Sequence, residues 1–287
     1  MPSYFIDTHC HFDFSPFSGT EVDSLAAAHQ AQVKQLIVPA VAARYFDRVL
    51  ALARDYPALF AALGLHPLYL NPHQDAELTV LADRLATMPE KLVAVGEIGL
   101  DLYQDNALSV RQQLKMLQAQ LMLAKQYDLP VILHSRRSHD QLAALLRKIA
   151  LPRTGVIHGF AGSLAQARTF IRLGYYIGVG GIISYQRAKK TRQVMAELPL
   201  NVLLLETDAP YMPLSGFQGQ ANRPERITDV FAALCRLRPE SPQHIAQQLH
   251  ANSQRLFNLP PLYQSTALHN QSAMPSVLPV KEGFCRC

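Results

Sequence analysis

The sequence predicts an α/β fold, a (β/α)8 TIM barrel, and three observations carry that expectation. Short apolar runs recur eight times along the chain, and the stretches between them show helical spacing. Runs such as Leu36-Ile37-Val38 and Val202-Leu203-Leu204-Leu205 have no polar alternation, which suits strands buried on both faces of a parallel sheet. Histidines and carboxylates collect where the runs end, and in such a barrel the chemistry sits at the C-terminal ends of the strands. An open doubly wound sheet is the alternative, but the first strand-to-helix turn lacks the Gly-rich fingerprint of its dinucleotide-binding version.

The candidate strands are 4–7, 35–39, 59–64, 92–96, 131–134, 155–158, 175–179 and 202–207. The clearest helix is 109–127. Ser109 and Gln112 have capping-box spacing, Val110, Leu114, Leu117, Leu121 and Ala124 form an apolar stripe, and Pro130 closes the segment. Further helices are expected at 21–32, 43–56, 76–88, 141–150, 164–173, 186–197, 224–237 and 242–252. Residues 1–259 thus read as one barrel domain, in keeping with the roughly 250 residues such barrels take. Residues 260–287 carry scattered Pro, Ser and Gln without amphipathic period, and are expected to be a disordered C-terminal extension. The alternative is a strap packed on the barrel through Leu262, Tyr263, Val277 and Leu278.

Composition narrows the class. With 49% hydrophobic and 17% charged residues, the chain reads as globular and long enough for a large core. No apolar run approaches the roughly 18 residues of a membrane helix, so no membrane partner is expected. The start, Met-Pro-Ser-Tyr-Phe, has no basic or apolar signal segment, which points to the cytoplasm. Cys10, Cys235, Cys285 and Cys287 show neither zinc-ribbon spacing nor a disulfide framework. A net charge of +5 without a dense Lys/Arg block permits an anionic substrate.

The first strand runs into Asp7-Thr8-His9-Cys10-His11, where alternate side chains share a face, so Asp7, His9 and His11 point one way. Two imidazoles at a strand end are half a divalent-metal site, or two histidines bonded within a turn. The other strand ends supply matching groups: His66 after the third, Glu97 after the fourth, His134 and Arg136 after the fifth, His158 after the sixth, Glu206 and Asp208 after the eighth. Together they fit two divalent ions, for which imidazole and carboxylate suit Zn²⁺ first, with Mn²⁺ or Mg²⁺ as alternatives. Glu97 is placed to bridge two ions through its two oxygens, where many two-metal amidohydrolases use a carboxylated lysine; no lysine follows Lys91 on that strand. Asp208 is the candidate ligand and proton acceptor. Glu206, two residues earlier and expected on the same face, would orient a ligand or pair with an arginine.

These residues carry a resemblance. The chain resembles the TatD family of metal-dependent hydrolases and deoxyribonucleases, most closely its YjjV-like branch, from about Phe5 to Leu259. The motifs are Asp7-Thr8-His9-Cys10-His11, Gly64-Leu65-His66-Pro67, Gly96-Glu97-Ile98-Gly99-Leu100-Asp101, Arg111-Gln112-Gln113 with Gln118 and Gln120-Leu121, Pro130 to Arg136, His158-Gly159-Phe160, and Glu206-Thr207-Asp208-Ala209-Pro210. The resemblance implies a (β/α)8 barrel with two divalent metals, one held by His9, His11 and Asp208, the other by His134 and His158, with Glu97 bridging. It also implies phosphodiester hydrolysis, typically of DNA from the 3′ end. The segment Ala221-Asn222-Arg223-Pro224 departs from the Arg-Asn-(Glu/Lys)-Pro common in the family, and residues after Leu259 have no counterpart in it.

A DNA or small phosphodiester substrate suits the residues independently. Two metals polarise phosphoryl oxygens and activate water. His66, Arg136 and Arg223 are candidate phosphate contacts, and Tyr103, Phe160 and Tyr211 are candidate base-stacking aromatics. A hydrolase of small esters, lactones or amides is the competing reading, and an inactive barrel that only binds is a third. Nothing in the sequence sets the oligomeric state, for which a monomer is the simplest expectation.

Overall fold

The computed structural model of the protein describes residues 4–70, 74–103 and 109–262. Its strands are β1 (Phe5–Asp7), β2 (Val33–Pro39), β3 (Leu59–Leu63), β4 (Leu92–Asp101), β5 (Val131–Arg136), β6 (Gly155–Ile157), β7 (Tyr176–Val179) and β8 (Leu203–Leu205). Each pairs parallel to the next, in sequence order. The helices between and after them are α1 (Glu21–Gln30), α2 (Phe46–Asp55), α3 (Gln74–Ala86), α4 (Val110–Gln126), α5 (His139–Ile149), α6 (Leu164–Arg172), α7 (Lys189–Glu197), α8 (Ile227–Cys235) and α9 (Pro242–Phe257). The ring closes between β8 and β1. The Thr8 N–H and hydroxyl both donate to the Leu205 carbonyl at 3.1 and 3.0 Å, and Asp208 N–H donates to the His9 carbonyl at 2.9 Å. The chain therefore folds as a (β/α)8 TIM barrel.

Two interleaved sets of apolar side chains explain the unbroken hydrophobic runs. One fills the barrel: Ile6, Ile37, Phe60, Ala62, Val93, Ala94, Ile132, Val156 and Leu204. Their chain neighbours, among them Leu36, Val38, Leu63, Leu133, Ile157, Leu203 and Leu205, face outward against Val49, Leu52, Leu117 and Leu121 of the helices. Both faces are buried, so the period of two leaves no polar trace. Extended two residues on, the alternation places His134 above Ile132, His158 above Val156 and Glu206 above Leu204.

The elements depart from expectation at their ends, for identifiable reasons. β4 passes the expected end at Gly96 and reaches Asp101, because Gly99, Leu100 and Asp101 pair with His134, Ser135 and Arg136 of β5. Gly99 has φ +149°, and a Cβ there would stand 2.0 Å from the His134 carbonyl oxygen, so only glycine allows this approach. β8 is only Leu203–Leu205, preceded by a 3-10 turn, and Glu206 and Asp208 lie beyond it. The expected helix 43–56 opens as a 3-10 turn, Ala43–Tyr45, before α2. α9 continues past Asn252 to Phe257, since Asn252 is not an end but a buried tie to β8: its amide donates to the Leu200 and Leu203 carbonyls at 2.9 and 2.8 Å. α4 keeps the expected capping box of Ser109 and Gln112. It also reaches the strand ends through two amides, seven residues and hence two turns apart. Gln113 bonds both backbone groups of Asp101, and Gln120 both of Leu65.

Among the described residues no helix is long and apolar enough to cross a membrane. Cys10 and Cys235 are unpaired. The barrel packing extends to Leu259. Leu259 is buried with Leu256 and Phe257, and the Pro260 carbonyl accepts from Gln35 Nε2 at 3.0 Å. The expected extension from Tyr263 onward lies outside the described residues.

Two outcomes are expected. Asn252→Leu strands two carbonyls in the core, at about 1–3 kcal/mol each. Its urea midpoint should fall with the denaturant slope unchanged, and an unchanged midpoint would remove Asn252 from the closure. Deleting residues 263–287 should leave the midpoint where it is. A loss above about 1 kcal/mol would mean that this segment packs on the barrel.

Candidate metal centre

Five imidazoles converge on Glu97 at the C-terminal mouth of the barrel, and for three of them the hydrogen bond at the far nitrogen decides what the near one offers. His11 Nδ1 lies 3.2 Å from the Pro39 carbonyl, which can only accept, so Nδ1 carries the proton and Nε2 keeps a bare lone pair. His134 is turned the other way: Nε2 donates to Asp101 Oδ2 at 2.9 Å, so in the neutral ring the lone pair is on Nδ1, 3.1 Å from Glu97 Oε1. His158 faces Glu206 Oε1 with Nδ1 at 3.7 Å and Glu97 with Nε2 at 3.1 Å. His66 is the exception. Its Nδ1 accepts from the Leu68 N–H at 3.1 Å, so the neutral ring carries its proton on Nε2 and points a donor at Glu97. His9 presents Nε2 to the same centre and stacks on His158 with ring centroids 3.8 Å apart.

The Glu97 carboxylate divides these groups. Its Oε2 lies 3.3 Å from His9 Nε2 and 3.5 Å from His11 Nε2. Its Oε1 lies 3.1 Å from both His134 Nδ1 and His158 Nε2, and 3.3 Å from His66 Nε2. Asp208 Oδ1 completes the first side, 3.7 and 3.6 Å from His9 and His11 Nε2. Three overlapping triads result, with donor atoms within 4.8 Å of one another: His9, His11 and Asp208; His9, Glu97 and His158; His66, Glu97 and His134. His9 and His11 Nε2 are only 3.2 Å apart. Lone pairs crowded this closely around carboxylate oxygens are the donor chemistry of a divalent cation, so the residues fit such ions.

Burial and charge set the protonation states of the metal-free centre. Burial alone would raise the Glu97 carboxyl, but His66, His158 and His9 outweigh it and hold it well below the usual carboxylate range. Asp208 is pushed up to about 6, chiefly by burial. Burial lowers His66 to about 4 and holds His9 well below the usual imidazole value. It acts the same way on His11, His134 and His158, yet their carboxylate partners win and all three are raised.

A supporting layer holds the mouth. Asp7 does not reach the cavity. It is buried and accepts from His9 N–H (3.2 Å), Thr207 N–H (3.0 Å) and the Thr207 hydroxyl (2.6 Å), tying the ends of β1 and β8 together. Glu206 points inward beneath His158 and accepts from Gly159 N–H, so the expectation that it shares the mouth with Asp208 fails. β8 ends before either residue, and Asp208 turns outward at φ +59°. A Cβ on Gly178 would lie 2.5 Å from Glu206 Oε2, so the glycine makes room for the carboxylate. Asn222 donates to the Thr207 and Met212 carbonyls at 2.9 and 3.3 Å and fixes the loop that carries Asp208.

The centre opens into a cavity of 340 Å³ walled by Val41, Leu68, Tyr69 and Tyr211, with Arg136 at its rim. Arg223 is not brought there. Its guanidinium pairs with Glu225 and lies over the Phe17 ring. Phe160 is likewise withdrawn, buried against His139 and Phe170. Sequence reasoning missed Asp101, Thr207 and Asn222 as positioning groups. Asp101 and Thr207 stand inside the polar motifs at the strand ends, while Asn222 stands in the later segment Ala221-Asn222-Arg223-Pro224, and no sequence signal ties it to Thr207.

Comparison with known proteins shows the family. The profile of the family described as TatD related DNase matches residues 6–258. The uncharacterized metal-dependent hydrolase YjjV of Escherichia coli K12 is 62% identical over 256 residues, 89% of this chain and 98% of that protein. An uncharacterized metal-dependent hydrolase of Haemophilus influenzae is 44% identical over 263 residues, 89% of this chain and all of the relative. The crystal structure of the E. coli TatD homologue YjjV superposes with a TM-score of 0.88 at 60% identity, covering 91% of this chain and 100% of that one. The chain belongs to the TatD-related DNase family.

Proposed function

We propose that the protein is a metal-dependent hydrolase that cleaves phosphodiester bonds of DNA, removing nucleotides from the 3′ end with two divalent ions, zinc first, manganese or magnesium as alternatives. One observation carries the reading: the two oxygens of Glu97 face different sets of imidazole lone pairs. His9, His11 and Asp208 would hold one ion, His134 and His158 the other, and Glu97 would lie between them. When bound, such ions supply Lewis-acid polarisation of the phosphoryl group and acidify water.

The chain's own groups do the rest. Pro39 and Asp101 fix the tautomers of His11 and His134 so that their lone pairs face inward, and Glu206 lies 3.7 Å from His158 Nδ1. Asp208 takes the proton of the attacking water as the water oxygen bonds to phosphorus. The P–O3′ bond breaks, and that proton passes to the leaving oxygen. His66, neutral because its value lies near 4, donates Nε2–H to a non-bridging oxygen. Arg136 at the rim offers its forked donors to the same phosphate. Arg223, paired with Glu225, is given no role. All the ligand candidates come from one chain, so a monomer suffices, and we place the enzyme in the cytoplasm.

Three measurements test this. Purified, metal-loaded protein should shorten a 5′-labelled oligodeoxynucleotide from its 3′ end and lose that activity with a chelator; cleavage of small esters or lactones alone would favour the competing hydrolase. Glu97→Gln keeps volume but removes the charge between two dications. It should lose one ion per chain and at least about 10²-fold in turnover, with circular dichroism unchanged. Two ions retained at near wild-type turnover would end the bridging assignment. Finally, metal binding must displace protons from Asp208, His11, His134 and His158. Affinity in chelator competition should therefore fall steeply from about pH 7 to about pH 5, by more than one proton per ion. A flat profile would exclude these groups as ligands.

A further inference from the structure

A second cavity, of 370 Å³, adjoins the metal-centre cavity, and the two share Arg136. Tyr103, Arg137, His139, Gln166 and Lys190 help to line it. Arg136, Arg137 and Lys190 are exposed, and among the described residues none of them is ion-paired, whereas Arg48, Arg84, Arg153, Arg223 and Arg238 each meet a carboxylate. The nearby carboxylates Asp101 and Asp140 form no ion pair with these cations among the described residues. Asp101 bonds His134 and the Tyr103 N–H, and Asp140 accepts from Gln166.

The two guanidinium groups are nonetheless held close together. Both lie over the one Tyr103 ring, 3.8 and 4.4 Å from its centroid. Two like charges on one ring, with Lys190 lining the same groove, form a standing repulsion that an anion relieves. His139, which also lines the groove, has an unpartnered Nε2 among the described residues. It opens α5, whose N-terminus has no side-chain cap because the Ser138 hydroxyl donates to the Leu100 carbonyl. The uncapped end adds partial positive charge on the same side.

We propose that this groove is a second phosphate subsite, which takes the phosphodiester next to the one at the metal centre. The preferred substrate is then a strand with at least two linked phosphates, not an isolated small diester, and Arg136 spans consecutive phosphates. The inference rests on the phosphodiesterase reading. Arg137 and Lys190 set the length preference and touch no reacting atom.

The test compares KM for a decathymidylate with KM for the p-nitrophenyl ester of thymidine 5′-phosphate, which carries one phosphate, on the metal-loaded enzyme. In Arg137→Ala/Lys190→Ala the ratio of the two KM values should rise about tenfold, roughly 1.4 kcal/mol. The slope of log KM for the oligomer against log salt should flatten by about 0.7 for each phosphate that the variant no longer neutralises. Lys148→Ala, an exposed charge in the last turn of α5, should leave the ratio at its wild-type value. A ratio within about twofold of wild type in the double variant, or an equal rise with Lys148→Ala, overturns the subsite. If the wild type cleaves neither substrate, the proposed function fails, and fluorescence anisotropy of a labelled decathymidylate decides the groove alone. Binding about tenfold weaker in the double variant supports it; equal binding, or none by the wild type, overturns it.

Discussion

A single carboxylate has to remain charged in a place where burial disfavours charge, and the site is built around meeting that demand. Glu97 lies inside the barrel mouth, away from water, with five imidazole nitrogens between 3.1 and 3.5 Å of its oxygens. Three of the imidazoles are held from behind: His11 by a carbonyl, His134 by a carboxylate, His66 by a backbone N–H. The barrel contributes the convergence. Strands that alternate every two residues around a filled interior bring groups remote in sequence to one rim.

This arrangement explains which parts were legible in the sequence. The apolar runs and the polar residues at their ends are properties of single strands, and the barrel and the cluster follow from them. Whether a histidine offers a lone pair or a proton depends on the partner of its other nitrogen, and that partner sits elsewhere in the chain. His66 and His134 look alike as strand-end histidines, yet Leu68 makes one a donor and Asp101 leaves the other a bare acceptor. The same limit applies to Glu206, whose expected outward face assumed a strand that stops at Leu205. Arg223 and Phe160 carried the right chemistry for substrate contact, but Glu225 and the α6 core claimed them. Asn252 shows the error in reverse: a polar residue read as a helix end was a buried anchor.

The helices act on the site through amides instead of charges. Gln113 and Gln120 of α4 each saturate both backbone groups of a residue at a strand end, Asp101 behind His134 and Leu65 before His66. A neutral bidentate bond fixes position without adding to an electrostatic balance already set by Glu97 and its histidines. Three basic residues without an ion pair among the described residues, Arg136, Arg137 and Lys190, line one groove beside the mouth. Tyr69 and Tyr211 line the metal-centre cavity, and Arg44 lies over the Tyr69 ring.

The seam between the first and last strands has a consequence for assembly. His9 and His11 follow β1, while Asp208 follows β8, and Asp7 and Thr207 join the two ends. A cation shared by those three side chains would act as a clasp across the only junction whose strands are not consecutive in the chain. Such a site cannot exist on a growing or half-folded polypeptide, because its halves meet only when the ring is complete. Metal capture would then report a finished barrel, and release would loosen the seam before any other part of the wall.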